Sequence, residues 1–258
     1  MMKAAEYQKI IMKNKKYIFL LVIIVSVLLF IYIDKLFFFG NLYFEKYKYS
    51  RDDYPFMYII PNDRIRYISN SYCLNDEKES WGYVNYKQLN MLVPSHGQYD
   101  KGEKVDSHIL SIIYDDGGVF SVFTSSIDKN IFKPNIEESG DDYYEIIQHF
   151  NEYTKLDVLE YVLSSSPDDL SIVNNLFLLS LKVIALEIKR GMVPDDVTNI
   201  EKIFINKNIR GFVVKVMSKS SKINVAYIYN DKLDHMYQVN FLNISDEKVN
   251  CVLKSISD

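Results

Sequence analysis

The feature that most constrains this chain is an apolar run from Tyr17 to Ile33, which contains no charged side chain. A helix over this run would be about 25 Å long, slightly short of the roughly 30 Å hydrocarbon core of a bilayer. Beyond two charged residues, Leu36 to Phe39 extend the apolar stretch. The run therefore predicts a transmembrane helix over residues 17–39.

A cleaved signal peptide is the alternative to such an anchor, since it also begins with a basic segment and an apolar core. Small residues should then follow at a cleavage site, but the chain just after Ile33 contains no alanine. The first cysteine that could carry a lipid is Cys73, far from the run. We therefore expect an uncleaved signal-anchor helix.

Basic residues set the expected orientation of this helix. Residues 1–16 contain five lysines and one glutamate, and basic flanks stay in the cytoplasm. The sequence thus predicts a cytoplasmic basic tail at a bacterial inner (plasma) membrane, with the C-terminal part periplasmic or extracellular. A tail of this length cannot hold a catalytic or DNA-binding domain, which excludes a receptor that signals through its own cytoplasmic domain.

The composition of the chain indicates a globular protein with a real core. Hydrophobic residues make up 48% and aromatic residues 14% of the sequence, too much for a disordered stalk. The formal net charge of −4 disfavours nucleic acid as a ligand, because phosphate groups would be repelled. A basic protein partner is compatible with this charge.

Residues 41–137 are predicted to be β-rich and tyrosine-rich, and residues 138–258 to be α+β and packed with them as one unit. Alternation and turn residues predict strands at Met57–Ile60, Ile65–Ile68, Trp81–Tyr86, Gly211–Met217, Ile223–Tyr229 and Met236–Leu242, with a hairpin of Ile109–Tyr114 and Val119–Phe123. Pro94 to Gln98 are expected to form a loop. Helices are predicted over 140–152, 156–163 and 245–256.

A further helix has the strongest local signals. Ser166 as N-cap, Pro167 at the first position and Asp169 form a capping-box pattern, and Gly191 follows two basic residues as a stop. Apolar residues wrap most of its circumference, so we expect a buried central helix.

Together these elements predict an α+β fold class: one N-terminal transmembrane helix, then an extracytoplasmic domain with an antiparallel sheet and a buried central helix. A strand leads into a short C-terminal helix that ends Leu253-Lys254-Ser255-Ile256. This ending resembles the close of the PsbP-type sandwich found in several envelope proteins, which implies a PsbP-like C-terminal half and no functional residue.

Two sets of residues are candidates for a site. Cys73 and Cys251 can form a disulfide in an oxidising compartment, although two unrelated thiols are the alternative. The tyrosine-rich early part offers a possible protein interface through Tyr43, Tyr47, Tyr49, Tyr54, Tyr83 and Tyr86. Sugar stacking would use the same residue type, and AT-rich coding would inflate tyrosine everywhere.

No pattern indicates catalysis, a cofactor or a metal. Five adjacent aspartate pairs fall at helix starts, turns or a polar loop, without the alternation of a calcium loop. The histidines are His96, His108, His149 and His235, and no two have zinc-helix spacing. A hydrolase using His96 or His235 remains an alternative.

These observations predict a non-enzymatic, single-span membrane protein whose extracytoplasmic domain binds another protein. The best specific interpretation is an immunity protein that neutralises an envelope-targeted toxin, such as a type VI secretion effector, with a basic toxin as partner. The alternatives are a structural or assembly subunit of a cell-envelope complex and an envelope hydrolase.

Overall fold

The computed structural model describes residues 17, 21–27, 40, 43–44, 46–68, 81–95, 97–100, 109–128, 130–132, 148–170, 176–218 and 220–257. The chain divides into two compact units, residues 1–48 and residues 49–258. In the first unit every described residue from 17 to 48 is helical, and Val22 and Phe44 are examples of exposed apolar side chains there.

The predicted transmembrane helix is corrected by the structure. Within the described residues, no helix combines the length and the apolar character that crossing a bilayer requires. Of the expected span 17–39, the structure describes Tyr17 and residues 21–27, which are helical. The remaining residues of that span, apart from Tyr17, lie outside the described part of the chain.

The second unit contains strands and helices whose bounds are as follows. The strands are β1 Ile65–Tyr67, β2 Trp81–Tyr86, β3 Leu89–Pro94, β4 Gly97–Asp100, β5 Ile109–Tyr114, β6 Val119–Thr124, β7 Val197–Asn206, β8 Ile209–Met217, β9 Lys222–Asn230 and β10 His235–Leu242. The helices are α1 Lys155–Ser164, α2 Leu176–Met192 and α3 Asp246–Ser255, with 3₁₀ turns at Pro55–Tyr58 and Pro167–Asp169.

Eight of these strands form one sheet in the order β1-β7-β8-β9-β10-β6-β5-β4, and β2 and β3 form a separate hairpin. The predicted antiparallel sheet is therefore wrong in one respect, because the sheet is mixed. Strand β1 runs parallel to β7, with Ile65 opposite Lys202 and Tyr67 opposite Phe204. Parallel neighbours need a long crossover, which here comprises the whole chain between the two strands.

The main core lies between the sheet, the β2–β3 hairpin and α3. Buried residues of all three meet there, such as Met91 of β3, Val213 of β8 and Leu253 of α3. On the opposite face, α1 contacts the sheet through Glu160, whose carboxylate lies 2.7 Å from Lys202 Nζ. The sheet is thus the central layer of this unit.

Several local predictions are confirmed. The hairpin of β5 and β6 forms around a turn in which Gly117 has a φ of 81°, and the three C-terminal strands and helix α3 lie where predicted. Two are wrong: Met57 and Tyr58 belong to a 3₁₀ turn, and Gly97 begins β4 instead of continuing a loop. The predicted helix 140–152 lies largely outside the described residues.

The predicted central helix also requires correction. The capping box of Ser166 and Asp169 forms, but it closes only the 3₁₀ turn Pro167–Asp169, and α2 begins at Leu176. Leu181 and Leu186 of α2 are fully buried, whereas Leu178 is 40% exposed, so the helix is not buried over its whole length. It contacts α1 and the first 3₁₀ turn and is not at the centre of the fold.

Cys251 lies on α3 and is disulfide-bonded. Cys73 is the other cysteine of the sequence and lies outside the described residues, so the Cys73–Cys251 pairing stays a prediction. A bond between them would close a loop over most of the second unit.

Replacing Gly211 at the centre of the sheet is predicted to destabilise the protein. A Cβ atom at this position would lie 1.8 Å from the carbonyl oxygen of Tyr227 in β9, so Gly211→Ala must push two central strands apart. We expect a loss of about 3 kcal/mol in the free energy of unfolding, measured in urea on the full chain. The matched control is Gly191→Ala, since nothing lies within 4 Å of a Cβ there. Equal stabilities for the two variants would contradict this account.

The cysteine pairing is tested by a double-mutant cycle under oxidising conditions. If Cys73 and Cys251 are bonded to each other, Cys73→Ser, Cys251→Ser and the double variant lose the same stability, about 5 kcal/mol in the chain-entropy model less any strain. Thermal unfolding of the three proteins and of the reduced wild type measures this loss. Additive effects of the two single substitutions would show that the cysteines are independent.

Candidate protein-binding surface

One part of the eight-stranded sheet presents side chains that no described helix or hairpin buries. It is formed by β10, β6 and β5 on the face opposite the main core. Its nine positions form a grid whose rows follow from the strand register: Leu242, Val119 and Ile113; Asn240, Ser121 and Ser111; Gln238, Phe123 and Ile109. We call these nine residues the open face.

The open face is half-exposed and uncharged. Ile109 and Ile113 are 52% and 47% exposed, and the other seven side chains are intermediate between buried and exposed. No Asp, Glu, Lys or Arg occupies any of the nine positions, although charged residues form 25% of the chain. Exposed sheet faces normally carry polar and charged residues, whereas the centres of protein interfaces are depleted of charge.

Hydrogen bonds fix the middle of this surface. Gln238 Nε2 donates to Asn240 Oδ1 at 3.0 Å, and Asn240 Nδ2 donates to Ser121 Oγ at 3.2 Å. Each amide is therefore held in one orientation by its neighbour on the grid. Such a surface is already ordered before a partner arrives, which lowers the entropic cost of binding.

The adjoining half of the same face shows why the open face is distinct. Phe212 of β8 and Tyr227 of β9 lie in the same register row as Gln238, yet they are only 1% and 3% exposed. Burial raises the pKa of the Tyr227 phenol to about 12. Helix α1 lies over this half, tied by Glu160 to Lys202 and by Lys155 to Asp234. The helical layer covers this face of the sheet as far as β10. The next strands, β6 and β5, stay exposed on the same face.

A groove on α1 is lined by charged and aromatic side chains, yet it is a poor candidate for a ligand site. It has a volume of about 520 Å³ and contains Glu152, Tyr153, Asp157, Glu160, Tyr161, Ser164 and Lys182. Asp157 accepts from the backbone N–H of Thr154 at 2.8 Å, Glu160 pairs with Lys202, and Lys182 pairs with Asp169 at 3.3 Å. Most of its charges are therefore committed within the protein.

A second cavity of about 310 Å³ lies beside the β5–β6 turn and the start of α3. It is lined by Pro94, Tyr114, Asp115, Asp116, Asn243, Ile244, Ser245 and Lys248. The Ser245 hydroxyl caps α3 by accepting from the N–H of Lys248, and Asp116 accepts from the N–H of Gly118. Two of the polar side chains in this cavity therefore already form hydrogen bonds with nearby backbone N–H groups.

The histidines that the structure describes lie apart. His149 packs among aromatic rings, with Phe150 at 5.0 Å and Tyr153 at 5.8 Å, while His235 Nδ1 contacts the carbonyl oxygen of Leu233. His96 and His108 fall outside the described residues. Across the described ranges, no three His, Cys, Asp or Glu side chains are placed to hold a metal ion.

The six predicted interface tyrosines do not share one environment. Tyr49 and Tyr86 are 0% and 7% exposed, so their rings present little surface to a partner, and the tyrosine interface stays a prediction. Tyr54 is half-buried with its ring 5.7 Å from that of Tyr49, whereas Tyr83 is 83% exposed on β2. Tyr43 and Tyr47 are exposed and belong to the first unit.

Sequence reasoning missed the open face although a signal for it exists. Both alternate positions of β5 and of β6 are free of charge, which is unusual for strands that have one solvated face. Which strands stand beside them, and which face α1 covers, follows only from long-range pairing. No protein-family model matches the chain, and no curated protein matches it.

Proposed function

We propose that this chain is a protein-binding module and that the open face is its docking surface for another protein. The observation that supports this most is the grid of nine half-exposed, uncharged side chains in a chain that is otherwise rich in charge. One apolar row, a polar middle row and a third row that adds Gln238 to Phe123 and Ile109 match the mixed character of protein interfaces.

The shape and the charge of the protein favour a protein partner over other ligands. The open face is a sheet surface instead of a pocket, so it would leave most of a small molecule in water. A net charge of −4 opposes nucleic acid and steers basic proteins towards the chain. Because a stable interface uses roughly 20–30 residues on each side, the nine positions form its centre and not its whole.

The more specific proposal is an immunity protein that neutralises a basic toxin outside the cytoplasm, in the bacterial envelope. The disulfide of Cys251 supports an oxidising compartment. Neutralisation requires tight binding and no chemistry of the module's own, which suits a preorganised surface. This role is argued by analogy of architecture, because surfaces of this kind serve many functions.

The test introduces one charge at the centre of the open face. Ser121→Arg places an unpaired guanidinium among Asn240, Phe123 and Ser111, so we expect binding to weaken at least a hundredfold. Wild type and variant are used in parallel to capture proteins from envelope extracts of the native organism, and partners are quantified by mass spectrometry. Titration calorimetry with the purified partner then measures the affinity.

The matched control is Ser220→Arg, which adds the same charge at an exposed position of the β8–β9 connection. Ile113→Arg is a second variant at the edge of the grid, where 47% exposure makes a charge easy to accommodate. A partner lost with Ser121→Arg and Ile113→Arg but kept with Ser220→Arg supports the docking surface. Equal capture by all four proteins would exclude the open face.

The specific role is tested by expressing the captured partner in the envelope of a host cell. An immunity protein restores growth when co-expressed as wild type or Ser220→Arg, and fails to do so as Ser121→Arg. A harmless partner that belongs to a membrane assembly would instead identify an assembly subunit, and the immunity proposal would be wrong.

A further inference from the structure

The open face lies next to the helical layer of the second unit. Helix α1 contacts β10, and Lys155 at the start of this helix pairs with Asp234 at 3.2 Å, just before β10 begins. On the covered half of the same sheet face Phe212 and Tyr227 are buried, whereas the side chains of β6 and β5 are half-exposed. Within the described residues the covering layer therefore stops at β10, and a further helix placed beside α1 would continue it.

The width of the open face matches one helix. Its strands β10, β6 and β5 are neighbours in the sheet, so its outer columns of side chains lie about 10 Å apart. An α-helix with its side chains is about 10–12 Å across. A partner sheet of four or more strands is wider than this, and α1 would obstruct it on the side of β10.

The spacing of the rows also matches a helix that lies along β6. Val119, Ser121 and Phe123 follow one another on this strand at intervals of about 6.8 Å. Four residues of an α-helix rise about 6 Å, so helix positions i, i+4 and i+8 would meet the three rows in turn. Because none of the nine positions is charged, a charged side chain in this stripe would lose its hydration without gaining a counter-charge.

The middle row adds a polar requirement. Asn240 Nδ2 donates to Ser121 Oγ, and Asn240 Oδ1 accepts from Gln238 Nε2. A carboxamide can donate two hydrogen bonds and accept two, so half of the capacity of Asn240 remains for a partner. An entirely apolar stripe would bury this capacity unsatisfied, which weakens binding. A neutral polar side chain at the middle position of the stripe would satisfy it.

We propose that the open face binds an amphipathic helix of the partner protein, which lies along β6 beside α1. Its contact stripe is uncharged, with apolar side chains at positions i and i+8 and a neutral polar side chain at i+4. This inference rests on the docking surface proposed above and names the element that docks there. The partner's helix completes the helical layer that the chain itself builds only as far as β10.

Site-specific photo-crosslinking on the full chain tests this geometry. The photoreactive residue p-benzoylphenylalanine replaces Val119, Ser121 or Phe123 one at a time, and Ser220 in the matched control. Each variant is irradiated in envelope extracts of the native organism, and mass spectrometry identifies the partner residues that become attached. Val119 and Phe123 lie about 13 Å apart along β6, which corresponds to about nine residues of a helix but only four of a strand.

We expect the Val119 and Phe123 variants to attach to one partner segment about nine residues apart, with attachment from Ser121 between them and none from Ser220. A separation of about four residues indicates a strand, and attachment scattered over separate segments indicates loops. Either result overturns the helix and leaves the docking surface standing. Attachment to a second copy of this chain also overturns the helix. If the wild type captures a partner to which no β6 variant attaches, the docking surface and the helix fail together.

Alanine scanning of the attached segment in the purified partner gives a second readout, because it leaves this chain unchanged. Side chains on one face of a helix recur every three or four residues, whereas those on one face of a strand alternate. We expect affinity, measured by titration calorimetry, to fall at least tenfold at three positions spaced by about four residues. Losses at every second residue would overturn the proposal.

Discussion

The close pairing of β8 with β9 is the contact on which the rest of the second unit depends. Nine residue pairs join the two strands, from Ile209 opposite Asn230 to Met217 opposite Lys222, and Gly211 allows the backbones to approach. Their side chains are buried on both faces, beneath the hairpin and α3 on one side and the helical layer on the other. The other six strands of the sheet extend this pair outwards, so the sheet has a buried centre and more exposed margins.

Short-range features of the chain were predictable because their causes are local. The turn around Gly117, the alternation in β10 and the cap at Ser245 each depend on a few neighbouring residues. Ser166 shows the limit of this reasoning: its capping box is real, but local chemistry does not determine that only a 3₁₀ turn follows. The apolar run after Tyr17 was interpreted from hydropathy alone, and no helix among the described residues is long and apolar enough to span a membrane.

The open face could not be predicted from the sequence for a different reason. Neither Ser121 nor Asn240 is remarkable in the sequence, and they become neighbours only because β6 pairs with β10 across more than a hundred residues. For the tyrosines, residue type favours an interface but does not show whether a ring such as that of Tyr86 is buried. The strand register and the helices that pack on the sheet determine which side chains a partner can contact. Both are properties of the complete fold.

The strand order has a consequence for how the chain folds. Strands β1 and β6 are synthesised well before their neighbours β7 and β10, so neither can pair with its neighbour until the last third of the chain is available. Contacts of such high sequence separation slow folding, and they leave apolar strand edges exposed in the meantime. The β5–β6 hairpin, which later displays the open face, therefore cannot be joined by β10 until nearly the whole chain has been synthesised, and Ser111 and Ser121 give its outer side polar groups that water can satisfy in the meantime.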